Sequence, residues 1–197
     1  EDIIRGGVGW DTLDGGSGDD KLYGSDGNDK INGGAGMDYI TGDIGNDALY
    51  GDSGDDTIYG GIGRDMIDGG AGDDKLYGEA GSDKINGGTG DDVIIGGDGF
   101  NLLYGNAGDD IITALDGEDQ IQGGDGEDII TSAGGDDTVA GDAGNDNIQA
   151  GAGDDAIEGG EGDDIIDGGA GVDTVYYNNA LGGVFVDIDA GVSSGAD

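Results

Sequence analysis

Residues 33–41 read GGAGMDYIT and residues 69–77 read GGAGDDKLY, and this nine-residue pattern decides the fold. From Gly6 to Tyr176 the chain divides into 19 such units without insertion or deletion. The fourth position is Gly in all 19 units, the eighth is Leu, Ile or Val in all 19, and the sixth is Asp in 18. A period this regular predicts a solenoid of stacked repeats.

The composition taken without its order is that of a disordered chain. Of the 197 residues 51 are Gly, and 46 acidic residues face only 6 basic ones, for a net charge of −40. There is no His, Cys or Pro, which excludes a Ser-His-Asp triad, a thiol nucleophile and a zinc site of the usual ligands, so we expect no catalytic site in this chain. The charge argues against nucleic-acid binding, and no apolar run reaches the roughly 18 residues of a membrane span.

The units resemble the G-G-x-G-x-D-x-U-x nonapeptide of the RTX, or hemolysin-type, calcium-binding family. The resemblance covers 171 of the 197 residues. It implies an all-β fold, a parallel β-roll that winds as a right-handed solenoid with two units in each 18-residue coil. It also implies Ca²⁺ as the cofactor and main-chain carbonyls of the first four positions as ligands, such as those of Gly33, Gly34, Ala35, Gly36, Gly69, Gly70, Ala71 and Gly72.

The residues support this fold independently. The three residues after each Asp predict a short strand whose middle, aliphatic side chain points inward, which gives 19 core residues from Leu13 to Val175. We expect the glycines at positions one, two and four to adopt positive φ. One buried side chain for every nine residues is too thin a core to offset the conformational entropy of folding, so another interaction has to stabilise the fold.

The sixth residues of the units are the candidate metal ligands. In an 18-residue coil those of alternate units stack about 4.8 Å apart, where bare carboxylates repel one another. Calcium prefers six to eight carboxylate and carbonyl oxygens, so we predict ions between successive coils, about 17 at most. An alternative is that each Asp only caps its turn by bonding to backbone amides. The candidate ligands are Asp11, Asp20, Asp29, Asp38, Asp47, Asp56, Asp65, Asp74, Asp83, Asp92, Asn101, Asp110, Asp119, Asp128, Asp137, Asp146, Asp155, Asp164 and Asp173.

Departures from the consensus cluster on one edge of the predicted roll. Ala114, Ser132 and Ala150 replace the first glycine of three successive turns, and Asn101 lies in the turn before them. Leu115 and Ala133 stand where the consensus has its second glycine. A side chain at positive φ is strained. We therefore predict weak, distorted or vacant calcium sites along Asn101, Asp119, Asp137 and Asp155.

One sheet surface is a candidate contact surface. Val93, Ile95, Ile111 and Ile129 stack as outward residues of even-numbered units, and Tyr23, Tyr59 and Tyr77 continue the stripe toward the N terminus. One interpretation is simple β-propensity, and the other is self-association or docking of another segment.

The chain divides into residues 1–5, a partial preceding repeat, residues 6–176, the repeat array, and residues 177–197, a closing or block-separating strand segment. The resemblance implies a secreted or cell-surface protein of a Gram-negative bacterium, exported unfolded by type I secretion. Two roles stay open: a structural or adhesive region of an adhesin or surface-layer protein, or the C-terminal secretion and folding module of a secreted enzyme resembling serralysin-type proteases, lipases or alginate epimerases. An ice-binding face is disfavoured because no Thr ladder persists.

Overall fold

The computed structural model describes residues 1–176 and 183–187, and this part of the chain is all-β. Its 21 strands form one sheet of 11 and one of 10, and successive strands alternate between the two sheets. All paired strands are parallel, as in a β-solenoid of about ten coils. The fold class predicted from the nine-residue period is confirmed.

Strands are numbered β1 to β21 along the chain. The eleven-stranded sheet contains β1 (Ile3–Val8), β3 (Lys21–Asp26), β5 (Tyr39–Ile44), β7 (Thr57–Gly63), β9 (Lys75–Gly81), β11 (Val93–Ile95), β13 (Ile111–Asp116), β15 (Ile129–Gly134), β17 (Asn147–Gln149), β19 (Asp164–Asp167) and β21 (Val184–Asp187). The ten-stranded sheet contains β2 (Thr12–Ser17), β4 (Lys30–Ala35), β6 (Ala48–Ser53), β8 (Met66–Ala71), β10 (Lys84–Thr89), β12 (Leu102–Ala107), β14 (Gln120–Asp125), β16 (Thr138–Ala143), β18 (Ala156–Glu161) and β20 (Thr174–Tyr176).

Most strands are twice as long as the sequence predicts. A typical strand has 6 residues, because it continues through the first three residues of the next unit. There the fourth-position N–H donates to the third-position carbonyl one coil further on, as from Gly36 to Ser53 at 2.9 Å. The backbone ladder therefore runs around each turn, which holds the turns of neighbouring coils in register.

The last strand breaks this register. In the other strands each residue pairs with the residue 18 positions away, as Lys21 does with Tyr39. In β21, however, Val184 pairs with Asp164, 20 positions away. The predicted closing strand thus forms as far as Asp187 and extends the eleven-stranded sheet. The predicted turn at 177–181 and the residues after 187 lie outside the described residues.

The core consists of the eighth residues of the units, as predicted. All are buried except Val175, which is half-buried and packs against the cluster. Ala114 and Ala150 join this core. The buried eighth residues are Leu13, Leu22, Ile31, Ile40, Leu49, Ile58, Ile67, Leu76, Ile85, Ile94, Leu103, Ile112, Ile121, Ile130, Val139, Ile148, Ile157 and Ile166.

Positive φ occurs at the second and fourth positions of the units and not at the first. The fourth-position Gly72 has φ 132°, and a Cβ there would collide with the carbonyl of Gly54. The first-position Gly33 has no positive φ; a Cβ there would instead collide with Oδ2 of Asp38. The prediction that Ala114, Ser132 and Ala150 are strained by positive φ is therefore wrong, because first positions need space rather than a left-handed backbone. The second-position Leu115 and Ala133 do have positive φ, at 96° and 74°.

Candidate calcium-binding turns

The first six residues of each unit form a turn, of which the first three continue the preceding strand in most units. These turns stack into two columns, one on each edge of the roll. The Asp11 edge contains the turns whose sixth residues are Asp11, Asp29, Asp47, Asp65, Asp83, Asn101, Asp119, Asp137, Asp155 and Asp173. The Asp20 edge contains those of Asp20, Asp38, Asp56, Asp74, Asp92, Asp110, Asp128, Asp146 and Asp164. The parallel pairing brings together in each column the residues that the sequence predicts as ligands.

One oxygen of each sixth-position aspartate after Asp11 is engaged by the backbone. Oδ1 of Asp38 accepts the N–H of Asp20 at 2.7 Å, and Oδ1 of Asp29 accepts that of Asp11 at 2.8 Å. The same bond recurs up both columns to Asp164 and Asp173. This bond joins neighbouring coils; it is not the cap of the aspartate's own turn that the sequence left as an alternative.

The second oxygen of each aspartate has no hydrogen-bond partner. Oδ2 is buried without a donor in all 18 sixth-position aspartates, from Asp11 to Asp173. A buried carboxylate oxygen without a partner is costly, and these 18 equivalent oxygens are the kind of ligand that a cation would satisfy. Within residues 1–176 and 183–187 no three acidic side chains converge on one point. A calcium ion here would need oxygens other than acidic side chains to complete its shell, such as main-chain carbonyls or water.

The electrostatics of the columns favour a cation as well. Burial, followed by the repulsion of Asp38 and other nearby acids, raises the pKa of Asp56 to about 7. Burial likewise raises the pKa of Asp74 and of Asp110 to about 7, although in each case a backbone N–H bond lowers it. A bound cation favours the ionised carboxylate and would reverse this rise.

Main-chain carbonyls are placed to complete such sites. The carbonyls of Gly33 and Gly69 lie beside Gly15 and Gly51, on the side that also holds Oδ2 of the aspartate in the preceding coil. The third-position carbonyls of Ala35 and Ala71 accept the N–H groups of Gly18 and Gly54 at 2.6 and 2.8 Å.

Carbonyls of the second and fourth positions converge on the sixth side chain in the turn of Asn101. There Gly97 and Gly99 both accept from the amide nitrogen, at 3.2 and 3.3 Å. Gly34, Gly36, Gly70 and Gly72 hold the same positions in their own turns. Their role as calcium ligands stays a prediction.

Comparison with known families settles the class of repeat. Overlapping matches to the RTX calcium-binding nonapeptide repeat run from residue 1 to residue 175. The chain belongs to this RTX family. It is a repeat-only β-roll domain and not a catalytic fold, and its family's nonapeptides are known calcium-binding motifs. No curated protein matches the chain. The described part of this RTX domain contains no helix long and apolar enough to cross a membrane.

The fifth positions of the RTX units form a second ladder that sequence reasoning missed. Oδ1 of Asp73 accepts the N–H of Asp91 at 3.0 Å, and Oδ1 of Asn28 accepts that of Asn46 at 2.9 Å. All 11 Asp or Asn residues at this position make the equivalent bond. Their recurrence at 11 of 19 fifth positions is the signal that could have predicted it.

The outer surface of the eleven-stranded sheet carries the predicted apolar stripe. Val93 pairs with Ile111 and Ile111 with Ile129, and the last two side chains are 46% and 48% exposed. Val93, Ile95, Ile111 and Ile129 are called the Ile111 face below.

A tyrosine ladder occupies the N-terminal part of the same sheet. The rings of Tyr59 and Tyr77 stack with centroids 4.6 Å apart. Tyr39 bridges Tyr23 and Tyr59, at 6.0 and 5.6 Å. Sequence reasoning missed Tyr39 because it occupies the seventh position of its unit whereas the other three occupy the ninth.

Proposed function

We propose that this RTX domain folds when calcium fills its turns and is unfolded without it. The observation that carries the proposal is the set of 18 buried aspartate oxygens that lack a partner. Without a cation, folding brings these carboxylates together out of water, which is strongly unfavourable. An ion between each pair of successive turns gives at most about 17 ions, whose charge of about +34 nearly neutralises the −40 of the chain.

We propose further that the domain is a structural or adhesive part of a secreted or cell-surface bacterial protein. Numerous weak sites fill at the millimolar calcium found outside cells and stay empty in the cytosol. The polypeptide would then leave the cell unfolded, through type I secretion, and fold into a rod outside the cell. Ten coils at about 4.8 Å each give a rod about 48 Å long, a suitable spacer or scaffold.

Small-angle X-ray scattering in chelator and in millimolar calcium tests the calcium-driven transition. Scaling for 197 residues gives a radius of gyration of about 48 Å unfolded and about 16 Å when compact, the latter slightly larger for a rod. Far-UV circular dichroism should gain its β-sheet signal over the same calcium range. An equally small radius and equal sheet content in chelator would refute calcium-dependent folding.

We also propose that the Ile111 face mediates contact between copies of the folded domain. Exposed aliphatic side chains stacked on successive strands support this, because such patches are uncommon on monomers. At −40 the copies repel one another, so calcium has to bind before they can associate.

A further inference from the structure

Asn101 is the one sixth-position side chain on either edge whose hydrogen bonds are complete. It is 0% exposed, and its Oδ1 accepts the N–H of Asp83 at 3.0 Å, as an aspartate Oδ1 would. Its Nδ2 replaces the unpartnered oxygen and donates to the carbonyls of Gly97 and Gly99, at 3.2 and 3.3 Å. The amide thus bonds to the second- and fourth-position carbonyls of its own turn.

We propose that the turn of Asn101 is closed by its own side-chain amide instead of by calcium, so that the calcium column of the Asp11 edge is divided in two. The inference rests on the proposed function, since it needs calcium in the other turns. An amide nitrogen donates hydrogen bonds and does not ligate a cation, and the amide oxygen here is already engaged. In this turn the side-chain amide already donates to two carbonyls, whereas in every other turn Oδ2 of the aspartate has no donor.

The backbone around this turn differs from that of the opposite edge. β11 ends at Ile95, before the turn 96–101, and β17 and β19 of the same sheet likewise end before their turns, whereas the strand before every turn of the Asp20 edge continues for three residues into it. A Cβ at Gly96 would lie 3.1 Å from Nδ2 of Asn101, further than the equivalent Cβ at Gly15 from Oδ2 of Asp20, at 2.8 Å. The side-chain amide of Asn101 therefore lies further from the first position of its turn and close to the carbonyls of Gly97 and Gly99.

The next turns of the Asp11 edge also place protein atoms beside the aspartates. Ser132 Oγ donates to the carbonyl of Ala150 at 2.7 Å, and Ala114 and Ala150 put methyl groups where other turns have only a glycine. The side chains of Asn101 and Ser132 also interact with the carboxylates of Asp119 and Asp137, but Oδ2 of Asp119, Asp137 and Asp155 receives no hydrogen bond of ordinary geometry. The amide closure is therefore assigned to Asn101 alone, and it removes the two intervals that Asn101 shares with Asp83 and Asp119.

Calcium stoichiometry, measured by native mass spectrometry on the folded chain, tests the assignment. Wild type should bind at most about 15 ions, two fewer than the roughly 17 that the two columns together would hold if the Asp11 edge were uninterrupted at Asn101. Asn101→Asp should gain one or two ions, because it restores the vacant oxygen. Asp110→Asn, a matched change on the Asp20 edge, should lose one or two. Asn101→Ala should keep the wild-type number and unfold at a lower temperature in calcium, because it lacks the two amide bonds.

The outcomes separate the two proposals. If wild type binds calcium but Asn101→Asp gains no ion, the amide closure is wrong and calcium-dependent folding stands. If Asn101→Ala loses ions, Asn101 is a ligand and the closure is again wrong, a result that remains informative should the Asp variant not fold. If wild type folds in chelator and binds no calcium, the proposed function fails and the inference fails with it.

Discussion

Replacing Ile112 by Ala tests how core packing and calcium binding are coupled. Ile112 is 0% exposed in β13, between Ile94 of β11 and Ile130 of β15. Truncating such a residue costs about 2–5 kcal/mol of folding free energy. Its neighbour Ile111 points outward and is 46% exposed, so Ile111→Ala is a matched control expected to change stability by about 0.5 kcal/mol or less in dilute solution.

The expected shift in calcium midpoint depends on the number of ions bound on folding. When n ions bind together, a destabilisation ΔΔG moves the logarithm of the midpoint by ΔΔG/nRT. A loss of about 3 kcal/mol then raises the midpoint about 1.4-fold if about 15 ions bind in one transition, about 3.6-fold if about 4 do, and about 160-fold if a single ion does. A severe core defect should therefore hardly move a highly cooperative titration.

The assay is a calcium titration followed by far-UV circular dichroism at constant ionic strength. For Ile112→Ala we expect a calcium midpoint raised about 1.3- to 1.8-fold for a loss of about 2–5 kcal/mol. The thermal midpoint in excess calcium should fall by about 6–12 °C for a loss of about 3 kcal/mol. A calcium midpoint shifted more than about tenfold would refute the coupling of one transition to many ions. Unchanged calcium and thermal midpoints would show that Ile112 contributes no core packing.

Three further changes test the turns and the surface. Gly72→Ala should lower the thermal midpoint far more than Gly9→Ala, because both glycines have positive φ but only the first would bring a Cβ against a carbonyl; equal losses would contradict this steric argument. Asp74→Asn should lower the number of bound calcium ions by one or two, whereas Asp73→Asn should leave it unchanged, because Asn at the fifth position can still accept the N–H of Asp91. Equal ion counts for the two variants by native mass spectrometry would show that fifth- and sixth-position aspartates do not differ in calcium binding. Ile111→Lys combined with Ile129→Lys should abolish calcium-dependent association in light scattering and leave calcium-induced folding intact, whereas a wild type that stays monomeric in calcium would show the Ile111 face to be ordinary surface.

The sequence by itself determined the fold, the core and the two columns of aspartates. In a solenoid the spatial neighbour of a residue lies one coil away in the chain, here 18 residues, so the repeat period is already a map of tertiary contacts. The eighth position is aliphatic in every unit because it faces inward in every coil, and the sixth-position aspartates form columns for the same reason.

Only the tertiary structure decided what each atom of the turn does. A column of first-position glycines does not reveal whether it serves backbone conformation or space, and the packing of Asp38 Oδ2 against Gly33 shows that it is space. The period equally cannot show that one carboxylate oxygen bonds to the coil before it while the other lacks a partner. Asn101 looks in sequence like a lost ligand, yet its amide meets two carbonyls, because hydrogen-bond direction depends on atomic positions that a residue pattern does not contain.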